Sequence, residues 1–239
     1  MAQTGVTGSA ALPAAGWQGI VADWSSDQRA FKNVPWGKAM MWIFLLSDTF
    51  IFSCFLISYM TVRMSTTVPW PDSSQIFALN IGGTDIPLIL IAIMTFILIS
   101  SSGTMAMAVN FGYRRDRFKT ATLLLVTAAF GATFVGMQAF EWSKLIFEEG
   151  VRPWGNPFGA AQFGSTFFMI TGFHGTHVTI GVIFLIAIAR KVLRGDFDRQ
   201  RRGFFTSRKG HYEIVEILGL YWHFVDLVWV FIFALFYLW

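Results

Sequence analysis

The chain has 239 residues, of which 54% are hydrophobic and only 13% are charged, and 26 residues are phenylalanine. Soluble domains carry about a quarter of charged residues, so this composition excludes an ordinary soluble protein and indicates a polytopic membrane protein. The formal net charge is +4, but the basic residues lie between apolar runs, which indicates membrane topology rather than a nucleic-acid partner.

Five apolar runs approach or exceed the ~20 residues that a spanning helix needs. They predict transmembrane helices over Lys38–Met60, Ile86–Asn110, Phe118–Trp142, Ser165–Ala189 and Ile214–Trp239. The predicted fold class is therefore all-α, a bundle of five transmembrane helices. We expect one transmembrane domain over residues 38–239, preceded by an N-terminal segment over residues 1–37.

The basic residues predict which way the bundle is oriented. Of the 18 Lys and Arg residues, only Arg63, Lys144 and Arg152 fall on one side of the predicted bundle. The others lie before or at the start of the first span, or in the loops after the second and fourth spans. The positive-inside rule therefore places the N-terminus in the cytoplasm and Trp239 at the opposite face.

The first span carries Asp48 near the middle of its apolar run. An isolated Asp at this depth costs ~2.5–3.5 kcal/mol on insertion scales, so we expect it to be partnered, hydrated or protonated. Two interpretations are open from the residues alone. Asp48 is either a packing residue that is protonated or hydrogen-bonded, or a residue with a proton- or lipid-linked role.

The second and third spans carry fewer polar signals. The run Ser100-Ser101-Ser102-Gly103-Thr104 in the second span favours close contacts between helices, because its side chains are small. Glu141 lies near the end of the third span, where an aromatic belt and partial hydration make a carboxylate tolerable. We expect a structural role for Glu141 rather than a chemical one.

The fourth span carries two histidines, His174 and His177, among the glycines Gly172 and Gly175. A spacing of three residues places both imidazoles on one helix face, and the glycines let a neighbouring helix approach that face closely. Two histidines on one helix are at most half of a metal site, so we predict no metal. The simplest interpretation is a pair of buried histidines that are hydrogen-bonded to a neighbouring helix.

The loop after the fourth span has the densest charge. Three interpretations are open: it binds lipid phosphates, it contacts a partner subunit, or it is simply solvated. The fifth span follows with Glu216, Trp222, His223, Asp226 and Trp229. His223 and Asp226 are three residues apart, so we expect them to share a face and lie within reach of each other. We expect this face to pack against His174 and His177 and to form a polar seam inside the bundle.

Two motifs give the chain a family resemblance. The first runs from Gly164-Ser165-Thr166-Phe167-Phe168 into Gly172-Phe173-His174-Gly175-Thr176-His177-Val178, and the second is Tyr221-Trp222-His223-Phe224-Val225-Asp226-Leu227-Val228-Trp229. From about Trp36 to Trp239, the chain resembles subunit III of the haem-copper terminal oxidases, which include cytochrome c oxidases and quinol oxidases. The seven-helix form of the family has two further helices before the one that resembles the first span. Residues 1–37 are too polar to supply them, so the chain resembles the short, five-helix bacterial form.

The resemblance implies a subunit without redox centres, in a bacterial inner (plasma) membrane. Haem and copper are expected in the partner subunits I and II. Subunit III is expected to pack on subunit I, bind phospholipid, support proton uptake and protect the enzyme during turnover. Asp48 resembles the buried acid of the family, although many members have Glu there, and a role tied to the longer side chain is open.

The resemblance and the polar residues within the apolar runs together give the candidate residues. The candidate proton- or lipid-linked residues are Asp48, Glu141, His174, His177, Glu216, His223 and Asp226. The candidate packing or interfacial residues are Trp222, Trp229, Gly172 and Gly175. No catalytic or metal-ligating residue is predicted in this subunit.

Three alternatives stay open. The wording of the second motif favours a cytochrome c oxidase, but the five-helix form and Asp48 also suit a quinol oxidase. An accessory subunit of a nitric oxide reductase is a further alternative. A different class is a stand-alone proton channel or transporter with the buried acids and histidines as a relay, although no inverted repeat or Pro-broken helix supports a transporter.

Overall fold

The computed structural model describes residues 34, 36–81, 84–197 and 212–239. Five long helices dominate this part of the chain: α1 (Trp36–Ser65), α2 (Ile89–Tyr113), α3 (Arg117–Phe147), α4 (Gln162–Arg194) and α5 (Glu213–Phe233). A π-helical turn, Ala234–Leu238, continues α5. All five helices are long and apolar enough to cross a membrane. The predicted all-α bundle is confirmed, and the chain is a multi-pass membrane protein.

The predicted start of the second span is wrong. The chain between α1 and α2 forms one helical turn, Ser73–Ile76, and a two-stranded antiparallel hairpin of β1 (Ala78–Ile81) and β2 (Thr84–Pro87). Ile86, the predicted first residue of the span, belongs to β2. Leu88 then has a φ of 59°, a left-handed conformation that interrupts the backbone before α2 begins at Ile89. The predicted segment 1–37 and the basic loop lie mostly outside the described residues.

The helices pack in a defined order around α5. The neighbouring pairs are α2 with α3, α3 with α4, α2 with α5 and α4 with α5, while α1 lies against α5 and α4. Half of the residues in the most apolar window of α5 are buried within the chain, against 11% for α1. Helix α5 is therefore the centre of the bundle, and α1 is peripheral.

Trp222 of α5 is fully buried where three other helices meet. A Cβ atom added at Gly131 of α3 would lie 2.5 Å from the indole ring, and one added at Gly181 of α4 would lie 2.8 Å from it. These two glycines therefore make room for the ring. On the side of α2, the indole N–H donates a hydrogen bond of 2.9 Å to the hydroxyl of Ser101.

The ends of α3 and α4 have recognisable caps. Asp116 precedes α3 in an extended conformation, and its carboxylate accepts a hydrogen bond of 3.1 Å from the backbone N–H of Lys119. This is the usual N-cap contact, which satisfies one of the free N–H groups of the first turn. Helix α4 ends at Gly195, whose φ of 72° suits glycine.

Candidate functional site

Asp48 of α1, which is buried, and His177 of α4, which is partly buried, form a polar pair. Asp48 is 3% exposed, and one of its carboxyl oxygens lies 3.4 Å from Nε2 of His177. On the other side of the ring, Nδ1 lies 2.9 Å from the carbonyl oxygen of Phe173. A carbonyl oxygen only accepts hydrogen bonds, so Nδ1 carries a proton and Nε2 faces the carboxyl group. The pair can therefore hold one further proton between an acid and a base.

His174 lies in a different, aromatic environment. It is 1% exposed, its ring stacks on Trp229 with centroids 5.4 Å apart, and the ring of Phe134 meets it edge-on at 5.9 Å. Neither ring nitrogen of His174 has a hydrogen-bond partner among the described residues. The expected hydrogen bond to a neighbouring helix is therefore not made by His174, because aromatic side chains occupy the space around its ring.

His223 and Asp226 do not pair as the spacing suggested. Nδ1 of His223 lies 2.6 Å from the hydroxyl of Ser102 on α2. Asp226 is 7% exposed and lies beside Ser101 and Ser102, but neither of its carboxyl oxygens makes a hydrogen bond of ordinary geometry. The hydroxyls of α2 lie against this face of α5 and take the place of the predicted pairing. The polar residues thus separate into distinct groups instead of one seam.

Trp229 is fully buried on the same helix. Its indole N–H donates a hydrogen bond of 3.0 Å to the hydroxyl of Thr95 on α2. With the bond from Trp222 to Ser101, two indoles of α5 are hydrogen-bonded to α2. These contacts fix the rotation of α5 against α2, because an indole N–H left unpaired inside a membrane protein is costly.

Glu141 is more enclosed than its position near a helix end suggested. It is 3% exposed and accepts a hydrogen bond of 2.7 Å from Nε2 of Gln138. The hydroxyl of Tyr237 lies 3.2 Å from both carboxyl oxygens. The expectation of partial hydration at the interface is wrong, because the C-terminal π-helical turn carries Tyr237 over the carboxylate. Gln138 lies three residues before Glu141 on the same helix, so this spacing could have predicted their contact. No local pattern predicts the contact with Tyr237.

Glu216 forms an ion pair that the sequence analysis missed. Its carboxylate contacts the ammonium group of Lys38, which had been counted only as a topology signal. The two side chains are 24% and 19% exposed, and they join α5 to α1. Lys38 lies in the basic N-terminal region and Glu216 lies near the start of the last span, so the predicted topology places both on the same side. This shared side is the signal that could have suggested the contact.

Gly172 and Gly175 lie along a groove of about 300 Å³ between α3 and α4. A Cβ atom added at Gly172 would meet the ring of Trp142 at 3.0 Å, whereas one added at Gly175 would meet nothing within 4 Å. A larger groove of about 510 Å³ lies between α1, α4 and α5. Its walls are apolar except where His177 and Tyr221 reach it. The two grooves are therefore different in chemistry as well as in position.

The buried polar groups suit proton and hydrogen-bond chemistry. Among the described residues there is no group of three or more His, Cys, Asp and Glu side chains that could hold a metal ion. His174 and His177 in particular are separated in function, one between aromatic rings and the other beside Asp48.

Five membrane-spanning helices with buried acid and histidine side chains define a polytopic membrane protein with a polar interior. The comparison with known families is more specific. The sequence model of the family described as cytochrome c oxidase subunit III matches residues 17–239. The chain belongs to this family, and the resemblance drawn from the two motifs is confirmed.

Individual relatives come from two kinds of oxidase. The quinol oxidase subunit 3 of Bacillus spizizenii is 34% identical over 195 residues, which cover 81% of this chain and 82% of the relative. The cytochrome c oxidase subunit 3 of Alkalihalophilus pseudofirmus is 30% identical, with 82% and 84% covered. The probable quinol oxidase subunit 3 of Staphylococcus aureus is 29% identical, with 84% and 88% covered.

Proposed function

We propose that the chain is the non-catalytic subunit III of a proton-pumping haem-copper terminal oxidase in aerobic electron transport. The observation that carries this proposal is the match of the family cytochrome c oxidase subunit III to residues 17–239. The redox centres, haem and copper, would belong to the partner subunits I and II. The chain would pack on subunit I in a bacterial inner membrane, with its N-terminus in the cytoplasm.

The proposed contribution of the chain is indirect and has two parts. Bound phospholipid and helix packing would stabilise subunit I during turnover. The Asp48–His177 pair and the basic cytoplasmic loops would support proton uptake, because a carboxyl group beside an imidazole can hold and release a proton. Glu141, Glu216, His223 and Asp226 are the further candidates for a proton- or lipid-linked role.

The first experiment tests membership of an oxidase complex. The chain carries a tag on its N-terminus, the membranes are solubilised in a mild detergent, and the purified material is examined by optical spectroscopy and mass spectrometry. Haem absorption together with subunits I and II is the expected result. A colourless protein without these partners would reject the proposal, and proton flux in liposomes that contain this chain alone would then test the channel alternative.

The electron donor is tested on the same preparation. We propose cytochrome c as the donor, while the similarity to the Bacillus spizizenii quinol oxidase subunit favours a quinol as the second candidate. Oxygen consumption is measured with reduced cytochrome c and, separately, with a short-chain quinol. Activity with the quinol alone would assign a quinol as the electron donor instead of cytochrome c, and it would leave the proposed role of subunit III unchanged.

The proposed support of turnover is tested at Asp48. Asp48→Ala removes the carboxyl group that faces His177. We expect the oxidase to start at its normal rate and then to lose activity in fewer turnovers, with slower proton uptake. Unchanged inactivation and unchanged proton uptake would remove Asp48 from the mechanism without affecting the assignment to subunit III.

A further inference from the structure

Glu141 lies close to one end of the bundle, the hairpin end, where α1, α3 and α5 end and the β1–β2 hairpin lies. Helix α3 has 31 residues and is ~46 Å long, so it extends beyond a hydrocarbon core of ~30 Å. Glu141 is six residues before the last residue of α3, which places its carboxyl group close to the membrane surface at this end. The side chain is nevertheless enclosed, because only 3% of the residue is exposed.

A cavity of about 10 Å³ reaches Glu141. This volume is about what a single water molecule needs. Glu141 and Lys144 are the polar residues of the lining, and the other lining side chains, from the segment before β1, from α2 and from α3, are apolar. Lys144 is partly exposed, so the lining of the cavity extends to the surface of the chain. A single water molecule here would therefore connect the carboxyl group with the hairpin end.

The π-helical turn Ala234–Leu238 covers the carboxyl group. The hydroxyl of Tyr237 lies 3.2 Å from both carboxyl oxygens of Glu141, and Tyr237 is only 1% exposed. Its ring packs against Phe77, with centroids 4.5 Å apart, and against Phe167 of α4 at 6.2 Å. Of the described residues that line the cavity or contact the carboxyl group, only Lys144 and Tyr237 are also titratable.

Two hydroxyl groups from outside α5 hold this turn in place. Tyr59 of α1 donates a hydrogen bond of 3.1 Å to the carbonyl oxygen of Leu235. Ser73 donates one of 3.1 Å to the carbonyl oxygen of Tyr237. The last carbonyl groups of a helix have no partner within the helix, so these bonds satisfy them from outside. Because helix ends open more readily than packed helix interiors, the turn is the part of the enclosure that can open.

We propose that Glu141 is a proton-binding site that is reached from the aqueous phase at the hairpin end through a water molecule in the cavity, and that the π-helical turn is its cover. The step is a proton transfer, in which a hydronium ion gives its proton to the carboxylate and leaves a neutral water molecule. This inference specifies the role of Glu141 that the proposed function leaves between proton and lipid. It does not require the partner subunits.

Gln138 suits both protonation states of Glu141. Its Nε2 donates a hydrogen bond of 2.7 Å to one carboxyl oxygen, as the ionised form requires. Its Oε1 is buried and has no hydrogen-bond partner among the described residues. When Glu141 gains a proton, a half-turn of the amide lets Oε1 accept a hydrogen bond from the new carboxyl O–H.

The first test detects the proton. Infrared difference spectra of the tagged, purified protein are recorded as the pH is lowered, and Glu141→Gln assigns the carboxyl C=O band that it removes. We expect such a band, and we expect Tyr237→Phe to shift it to higher frequency, because the carboxyl group loses a hydrogen-bond donor. If Glu141→Gln removes no band at any pH at which the protein stays folded, Glu141 binds no proton and the proposal is overturned.

The second test opens the cover. Ser73→Ala and Tyr59→Phe each remove one hydrogen bond to the π-helical turn, and neither side chain is bonded to Glu141. In deuterated water, we expect the Glu141 band to exchange about fivefold faster in either variant, because the loss of one hydrogen bond makes opening easier. Ser65→Ala is the matched control and should exchange at the wild-type rate, because its hydroxyl bonds within α1 to Val62. Equal rates in all these proteins would show that the turn is not the cover.

The third test determines from which face Glu141 is reached. Cys54 is the single cysteine of the chain, so Glu141→Cys combined with Cys54→Ala leaves one thiol. A membrane-impermeant thiosulfonate is added to either face of the membrane, with and without Ser73→Ala. Trp154→Cys in the same background marks the hairpin end, because Trp154 is 78% exposed in the loop after α3. We expect Glu141→Cys to react from the same face as Trp154→Cys and faster with Ser73→Ala. Reaction from the other face, or none from either face, would overturn the proposal.

The haem content of the tagged preparation distinguishes this proposal from the proposed function. A preparation without haem but with the Glu141 band would reject the oxidase assignment and leave the proton-binding site in place. A preparation with haem but without the band would do the reverse. Gel filtration and thermal unfolding of Glu141→Gln verify that the variant used to assign the band is folded.

Discussion

A carboxyl oxygen of Asp48 and Nε2 of His177 lie 3.4 Å apart and join α1 to α4. Two further polar contacts attach α1 to the C-terminal helix: Lys38 to Glu216, and the Tyr59 hydroxyl to the carbonyl oxygen of Leu235. Only 11% of the apolar window of α1 is buried within the chain. These polar contacts add to the aromatic contacts of Phe52 and Phe55 with Phe173 in holding this peripheral helix.

Replacing Asp48 with Leu should destabilise the attachment of α1. Nε2 of His177 would lose the carboxyl oxygen that faces it, and the ~1–3 kcal/mol that an unpaired buried polar group costs is an upper bound, because the His177 side chain is 13% exposed. We expect a lower midpoint of thermal unfolding in detergent at a fixed scan rate. Asp48→Asn should lie close to the wild-type midpoint, because the amide can still donate to Nε2.

A double-mutant cycle tests whether the effect belongs to the pair. In the background of His177→Phe, the change Asp48→Leu should cost much less than it does in the wild-type chain. An equal cost in both backgrounds would show that Asp48 acts through lipid or solvent and not through His177.

The sequence predicts the helices well, because each span is a long apolar run that needs no other part of the chain to be recognised. The same holds for the burial of Asp48 and, less completely, of His177, whose side chain is 13% exposed; each of them stands out in such a run. Their pairing could not be predicted, because it depends on how α1 and α4 are rotated against each other. No local pattern encodes that rotation.

Errors in the predicted site have a similar cause. His223 and Asp226 share a face of α5. This does not decide whether His223 contacts Asp226 on its own helix or the hydroxyl of Ser102 on α2. Tyr237, which contacts Glu141, lies in a π-helical turn. This element is rare and has no sequence signal here. The hairpin before α2 was missed because its strands are only four residues each.

The glycine at position 131 should be intolerant of even one methyl group. In Gly131→Ala, the new Cβ would lie 2.5 Å from the ring of Trp222 and 2.7 Å from Val182. Both neighbours belong to the packed interior, so we expect a loss of ~1–3 kcal/mol from overpacking. Gly136→Ala on the same helix is the control, because its Cβ would meet nothing within 4 Å. Thermal unfolding should separate the two variants, and equal midpoints would contradict the packing seen around Trp222.

The hydroxyl of Ser101 should contribute to stability because it accepts the hydrogen bond of the Trp222 indole. Ser101→Ala leaves the N–H of Trp222 without its acceptor, and an unsatisfied buried donor costs ~1–3 kcal/mol. Trp222→Phe removes the donor as well, so the further cost of Ser101→Ala in that background should be small. The measurement is again the thermal midpoint, together with the tryptophan fluorescence of the single variant. A full additive loss in the double variant would show that the bond contributes nothing.

Asp116 should make the first turn of α3 sensitive to acid. The hydrogen bond from the backbone N–H of Lys119, with a smaller contribution from the Lys119 side chain, holds the pKa of Asp116 below its ordinary value of 3.8. A carboxyl group whose pKa is lowered by folding stabilises the folded state above its unfolded pKa. This contribution is lost as the pH falls below 3.8 and through the lower folded value. The cap should therefore be complete at neutral pH and weaken only in strong acid.

Hydrogen–deuterium exchange of the peptide that begins α3 measures this effect locally. In the wild-type chain, we expect exchange protection of the first turn to fall as the pH drops below 3.8, after correction for the intrinsic exchange rate. Asp116→Asn keeps an oxygen that can cap the helix but does not titrate, so its protection should not change over the same range. Asp116→Ala should show weak protection throughout. If the wild-type chain and Asp116→Asn respond alike, the acid sensitivity comes from another group, and the Asp116 carboxylate is not what holds the start of α3.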